Sequence, residues 1–136
     1  YKKPDTTERR GLLTSRVGQG FYRQQIINKW GGKCPLTDID ISSILISSHI
    51  VPWAESNDEE RLDVDNGILL SPLVDSLFDR HLISFEDDGT LLISSKISSI
   101  NIKKFNLFGC PKISINDAML KYIKRHRKKF MELEGR

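Results

Sequence analysis

The chain has 136 residues, enough for one domain with a single hydrophobic core. Its 38% hydrophobic and 29% charged residues exclude a disordered chain, no apolar stretch approaches membrane-spanning length, and two cysteines, Cys34 and Cys110, are too few for a disulfide framework or a four-cysteine zinc site. The net charge of +3 conceals a segregation: eight Lys/Arg against two Asp/Glu over 1–33, two against thirteen over 34–95, and eleven against three over 96–136, or +6, −11 and +8. Basic flanks around an acidic centre fit a protein that grips a polyanion at its edges and holds cations in the middle, although solvated charged faces produce the same tally. The cysteine usage and the lack of a signal-peptide pattern point to a reducing cytoplasm.

Residues 1–16 are polar, with Pro4, and read as an arm or linker ahead of one domain over 17–136. The start at Tyr1 rather than Met reads as a piece of a longer protein. In "GQGFYRQQIINKWGG", Phe21, Tyr22, Ile26, Ile27 and Trp30 give an approximate helical stripe that Gly31 and Gly32 terminate. "ILISSHIV" (44–51) reads as a buried strand carrying His49 near its end, and Pro52 opens a long polar loop. "NGILLS" is a second short strand, entered through Asn66 and Gly67. Ser71 then suits a helix N-cap, Pro72 the first helical position, and Leu73, Val74, Leu77 and Phe78 an apolar face. "LISFEDDGTLLIS" is a hairpin with Asp88 and Gly89 at its turn, and the stretch after it is irregular. A last helix starts at Asn116 or Asp117, with Met119, Leu120, Ile123 and Phe130 on one side and "KRHRKK" (124–129) on the other.

The chemistry concentrates in the middle. Asp75 and Asp79 are four apart, so on a helix they lie about 40° apart around the axis and share one face. Two carboxylates there repel by roughly 0.2–0.5 kcal/mol even when exposed, which a divalent cation would offset. Taken singly, the bland readings are commoner: two aspartates on a solvated face, His49 as a satisfied core histidine, Asn66 as a turn residue. Together they place a candidate base, a side-chain amide and two carboxylates on one strand–loop–strand–helix path of about thirty residues.

That path resembles the HNH nuclease motif, the ββα-metal fold, and more closely the restriction-endonuclease-like HNH branch. The blocks that carry the resemblance are "GQGFYR" (18–23), "GGKCPLTD" (31–38), "SHIVPW" (48–53), "RLDVDNGILLS" (61–71), "DSLFDRHLISF" (75–85) and "DDG" (87–89), with "YIKRHRKKF" (122–130) like the family's C-terminal helix. The resemblance implies an α+β fold: a ββα-metal core over about 44–81, with a flanking N-terminal helix, a β-hairpin and a C-terminal helix. It implies that His49 is the general base, that Asn66 holds the loop and orients the histidine, and that Asp75 and Asp79 bind the metal. Ser48 departs from branches with a metal ligand before the histidine, which leaves the shell to the two aspartates, water and phosphate. Asp75 in place of histidine shifts the preference toward Mg²⁺, with Mn²⁺ or Ni²⁺ as substitutes. Asp38 and His81 each replace a usual glycine, and His81 is expected to close the helix rather than bind metal.

The activity so implied is metal-dependent hydrolysis of DNA phosphodiester bonds, leaving 5′-phosphate and 3′-hydroxyl ends, in the cleavage domain of a bacterial restriction or antiviral defence protein. Double-stranded DNA is the expected partner. Arg16, Arg23, Lys29, Arg61 and Arg80 are the candidate contacts near the cut, and Lys124, Arg125, Arg127 and Lys128 the candidate contacts further along the backbone. A recognition or sensor domain elsewhere in a longer chain, a homodimer that cuts both strands and no membrane association complete the expectation. The alternatives are a binding module of the same fold without turnover, which Ser48 favours, and the same hydrolysis on RNA. The nuclease reading expects the imidazole and the carboxylate pair to converge on one pocket.

Overall fold

Apolar side chains one turn apart make the first helix. α1 (Arg16–Lys29) opens the computed structural model, whose described residues run from 16 to 136; the arm read over 1–16 falls, apart from Arg16, outside them. Tyr22 and Ile26 are buried while Gln24 and Asn28 face water. Gly31 (φ 66°) and Gly32 (φ 73°) then take the left-handed conformation that stops the helix, and the Gly32 N–H bonds the Ile27 carbonyl at 2.9 Å.

The strand expected over 44–51 is shorter. β1 (Ile46–His49) pairs antiparallel with β2 (Gly67–Leu70), from Ile46 opposite Leu70 to His49 opposite Gly67. β2 is buried along its length, but Ile44 and Ile46 are 44% and 36% exposed. A sheet of two strands leaves one face of the entry to β1 uncovered, while Leu45 and Ser48 turn inward and burial becomes continuous at Ile50 and Val51, past the last paired residue. The link over 52–65 is not a plain loop. It holds a 3₁₀ turn (Trp53–Glu55), the helix α2 (Asp58–Leu62) and a second 3₁₀ turn (Val64–Asn66). Asn57 and Glu60 start α2 as a capping box, each side chain accepting the other's backbone N–H at 2.9 Å.

α3 (Pro72–Asp79) follows β2 with Pro72 at its start, as the sequence indicates, and buries Val74, Leu77 and Phe78; Leu73 points outward, 46% exposed. It ends in a Schellman arrangement with His81 (φ 56°) in the position that favours glycine: the His81 N–H bonds the Phe78 carbonyl at 3.1 Å and the Leu82 N–H bonds that of Leu77 at 2.9 Å. β3 (Ile83–Phe85) and β4 (Leu91–Ile93) form the expected hairpin. The irregular stretch contains α4 (Ser99–Lys104), capped by the Ser98 hydroxyl. A 3₁₀ turn (Asp117–Met119) leads into α5 (Leu120–Leu133), which packs on β3. The fold is α+β, two small antiparallel sheets with α1 and α3 packed on the first. Among the described residues no helix is long and apolar enough to cross a membrane.

The 124–129 run is not all polar face. Lys124, Arg125, Lys128 and Lys129 are exposed, but His126 lies one turn after Tyr122 and joins the core. Its ring is stacked between Phe78 at 3.9 Å and His81 at 4.2 Å. Its Nε2–H donates to the Phe78 carbonyl at 2.9 Å, and Nδ1 accepts from the Ser84 hydroxyl at 2.8 Å. Burial drives its pKa from 6.5 down to about 3. Between those values the unfolded chain binds a proton that the folded one refuses. This contribution to stability is therefore whole above pH 6.5 and declines as pH falls, by up to ~1.4 kcal/mol per unit. His126→Gln should flatten the acid limb of the Tm-against-pH curve, even though it lowers Tm at neutral pH. An unchanged slope would place the acid sensitivity elsewhere, with His49 and His81, both also held below 6.5 by burial, as the remaining histidines.

Candidate active site

His49 ends β1 and is partly buried. Its Nε2 lies 2.8 Å from the Arg61 carbonyl oxygen. A carbonyl can only accept, so Nε2 carries the hydrogen and Nδ1 keeps its lone pair. The ring stacks on Tyr22, with centroids 4.6 Å apart and planes 6° from parallel, and meets the Trp53 indole edge-on at 5.7 Å. Burial lowers its pKa below 6.5; the bond to the Arg61 carbonyl pulls upward and the Arg61 charge pushes down. The imidazole is mostly neutral at pH 7, and among the described residues its Nδ1 has no hydrogen-bond partner.

Asn66 is fully buried at the entry to β2. Its Oδ1 accepts from the Val51 N–H at 2.9 Å, and its Nδ2 donates to the Glu60 carbonyl at 3.0 Å and the Ser56 hydroxyl at 3.4 Å. All three partners lie on the link that leaves β1. The amide fixes Glu60, and the next carbonyl along, that of Arg61, holds His49. The Asn66 backbone carbonyl accepts the Tyr22 hydroxyl at 2.9 Å, so one side chain of α1 touches both His49 and Asn66. α1 presses so close here that a Cβ on Gly67 would fall 2.3 Å from Ile26 Cδ1 and 2.5 Å from the Tyr22 hydroxyl. The sequence offers Tyr22 only as part of an apolar stripe; its contact with a residue 27 positions away is tertiary. Trp53 and Ser48 likewise receive no site role from sequence alone.

The carboxylates sit on the other side of β1. Successive strand residues alternate faces, so Ser48 points away from Ser47 and His49. The buried Ser48 hydroxyl bonds the Asp75 carboxyl. Burial raises the Asp75 pKa, and the Asp79 charge raises it further, against the Ser48 bond and the Arg80 charge. Asp79 is exposed one turn on. Two carboxylates and a hydroxyl form an oxygen-only donor set, which fits a hard divalent cation whose charge would offset the Asp75–Asp79 repulsion. Among the described residues no group of three or more His, Cys, Asp and Glu side chains could hold a metal ion, so a resident ion would rely on water or phosphate for its remaining positions. The cavity beside His49, of about 270 Å³, is lined by Gln19, Tyr22, Ser47, Trp53, Arg61 and Leu62; neither aspartate borders it. Imidazole and carboxylates are presented from opposite faces of one strand rather than gathered in a single cavity.

Most of the candidate phosphate contacts already have partners. Arg23 donates to the Leu45 and Ser42 carbonyls, Lys29 pairs with Asp65 at 3.0 Å, and Arg61 bonds the Trp53 carbonyl and pairs with Asp58 at 3.5 Å. Arg125 pairs with Glu60 at 2.5 Å and Arg127 with Asp87 at 2.7 Å. Arg80 is exposed and among the described residues bonds only Ser76, within its own helix turn, Lys124 reaches Asp87 at 4.0 Å, and Lys128 is exposed. Arg16 starts α1, and its side chain lies outside the described set.

Because Tyr22 covers the imidazole, Tyr22→Leu should raise the His49 pKa toward 6.5, whereas Tyr22→Phe, which keeps the ring, should leave it nearly in place. Imidazole NMR titration reads both. An unmoved His49 in Tyr22→Leu would mean that other groups bury it.

Residues 34–86 match a family model described as HNH endonuclease, and the matched stretch contains Ser48, His49, Asn66, Asp75 and Asp79. A comparison with curated proteins finds no significant match. The matched segment and the ββα arrangement of β1, β2 and α3 together support an HNH endonuclease family assignment.

Proposed function

We propose that this chain is a metal-dependent endonuclease that hydrolyses DNA phosphodiester bonds, as the cleavage domain of a bacterial restriction or defence protein. The HNH endonuclease match over 34–86 supports a nuclease role. The observation that carries the finer reading is the state of His49: a neutral imidazole whose Nε2–H is tied to the Arg61 carbonyl and whose Nδ1 has no partner among the described residues.

In this reading Nδ1 takes a proton from the attacking water, and the Arg61 carbonyl stabilises the resulting imidazolium through Nε2–H. Asn66 keeps that carbonyl in place by holding the residue before it, since a small misplacement of a base costs much rate. Asp75 and Asp79, with Ser48 beside them, would hold Mg²⁺, or Mn²⁺ or Ni²⁺ in its place. A bound divalent ion supplies Lewis-acid stabilisation of charge on the phosphate and the leaving oxygen. Arg80, Lys124 and Lys128 are free enough to meet backbone phosphates, which positions a strand without reading its sequence. One observation favours a second reading, a binding module without turnover: a serine stands where a third strong ligand would complete the metal shell.

Supercoiled plasmid incubated with Mg²⁺ should be nicked or linearised, and EDTA should stop it. His49→Ala should lower the rate by on the order of 10²-fold or more while DNA binding survives. Cleavage at the wild-type rate in that variant would place the base elsewhere, and plasmid bound but intact with all three metals would establish the module. Because burial holds His49 below 6.5, its base form persists into mildly acidic solution. The midpoint of the acid limb of the rate should therefore lie below pH 6.5; a midpoint above 6.5 would contradict the environment described for His49. Asp75→Asn and Asp79→Asn should each weaken Mg²⁺ binding in calorimetry, and an unchanged isotherm in both would remove the proposed ion site.

A further inference from the structure

The cavity beside His49 has the wall chemistry of a ring-binding site rather than a phosphate-binding one. Tyr22, Trp53 and the His49 ring itself form its aromatic surfaces, Leu62 adds an apolar one, and Gln19 and Ser47 supply an amide and a hydroxyl. Among the described residues no carboxylate lines it, although it is built largely from the segment whose net charge is −11, and Arg61 is the one charged residue of that lining. Trp53 is 43% exposed, unusual for so large an apolar side chain, yet it is not loose. The Arg61 guanidinium lies 4.6 Å from the centroid of the indole, and that arginine is itself fixed by the Trp53 carbonyl at 3.0 Å and by Asp58 at 3.5 Å. The His49 ring meets the indole edge-on. The indole is thus held by a cation over its ring and by a perpendicular imidazole, and with 43% of the residue exposed it remains a stiff aromatic surface open to the cavity. At about 270 Å³ the cavity lies just under the roughly 300–1,000 Å³ of pockets for drug-sized ligands, the scale of one ring system.

We propose that this cavity is a nucleobase subsite: it takes one unstacked base of the strand being cut, from a nucleotide flanking the phosphate that His49 addresses, with the base stacked on Trp53. The inference rests on the nuclease reading for which phosphate is nearby, but it is a statement about binding and is tested without cleavage. Aromatic stacking of this kind tolerates any base, because every base has a π face, so the subsite selects unstacked structure rather than sequence. The preferred substrate is then a single strand, or a duplex with a mismatch, bulge or end at the cut, above a fully paired duplex.

The test uses the whole chain carrying Trp30→Phe, so that Trp53 is the only tryptophan, in EDTA. Saturating single-stranded or mismatched oligonucleotide should quench Trp53 emission by about half or more, and a fully paired duplex should quench it less. Trp53→Leu should lose affinity for the single strand on the order of tenfold, with the slope of binding against salt unchanged, because stacking releases no counterions. Trp53→Phe should restore most of that affinity, which a variant that merely misfolds would not allow. Emission unaltered at saturation, or wild-type affinity in Trp53→Leu, overturns the subsite. Quenching without cleavage under any metal leaves the subsite standing and removes the nuclease reading. Cleavage without quenching does the reverse.

Discussion

The buried amide of Asn66 is the constraint on which the rest of the site depends. A primary amide placed in a core is costly unless both of its ends are bonded, and here the oxygen has one donor and the nitrogen two acceptors, all on the link between β1 and β2. The link therefore has one conformation available to it. From that conformation follow the place of the Arg61 carbonyl, and through it the tautomer of His49, as well as the position of the Trp53 indole over which the Arg61 side chain lies. A residue that touches no substrate in this reading thus determines which imidazole nitrogen is free.

The second organising fact is the alternation of a strand. Ser48 and His49 are neighbours in sequence and face opposite sides of β1, one toward Asp75 and the other toward Tyr22 and the cavity. The imidazole and the two carboxylates are thereby kept apart by a backbone, and the Asp75 charge is not among the causes that set the His49 pKa. Each group has its own environment: the histidine is depressed by burial, and the aspartate is raised by burial and by a like charge.

Much of this was legible from the chain, and what was not has physical reasons. The ends of α1 and α3 follow from Gly31 and Gly32 and from Pro72, because those residues act locally. The capping box of Asn57 and Glu60 was also present in the sequence, but a five-residue helix carries too little periodicity to stand out from a polar loop. His126 belonged to a run of cations and was read with them; its burial depends on Phe78 and Ser84, more than forty residues away. Tyr22 is the same case, an apolar helix position by pattern and a partner of His49 only by tertiary contact. The two aspartates on one face were visible because helical spacing alone decides that. The cavity that excludes them was not, because it depends on which way a strand turns its alternate side chains.

The family match spans 34–86, yet what steadies its central link comes from beyond both edges. Tyr22 reaches in from α1, and from α5 the Tyr122 hydroxyl bonds Asp63 at 2.6 Å while Arg125 bridges Glu60 and the Glu55 carbonyl. The recognisable motif is therefore smaller than the unit that can hold its shape. An excised or transplanted core would lose these outer clamps, and any partner that moved the terminal helix would have a mechanical grip on the link that holds His49.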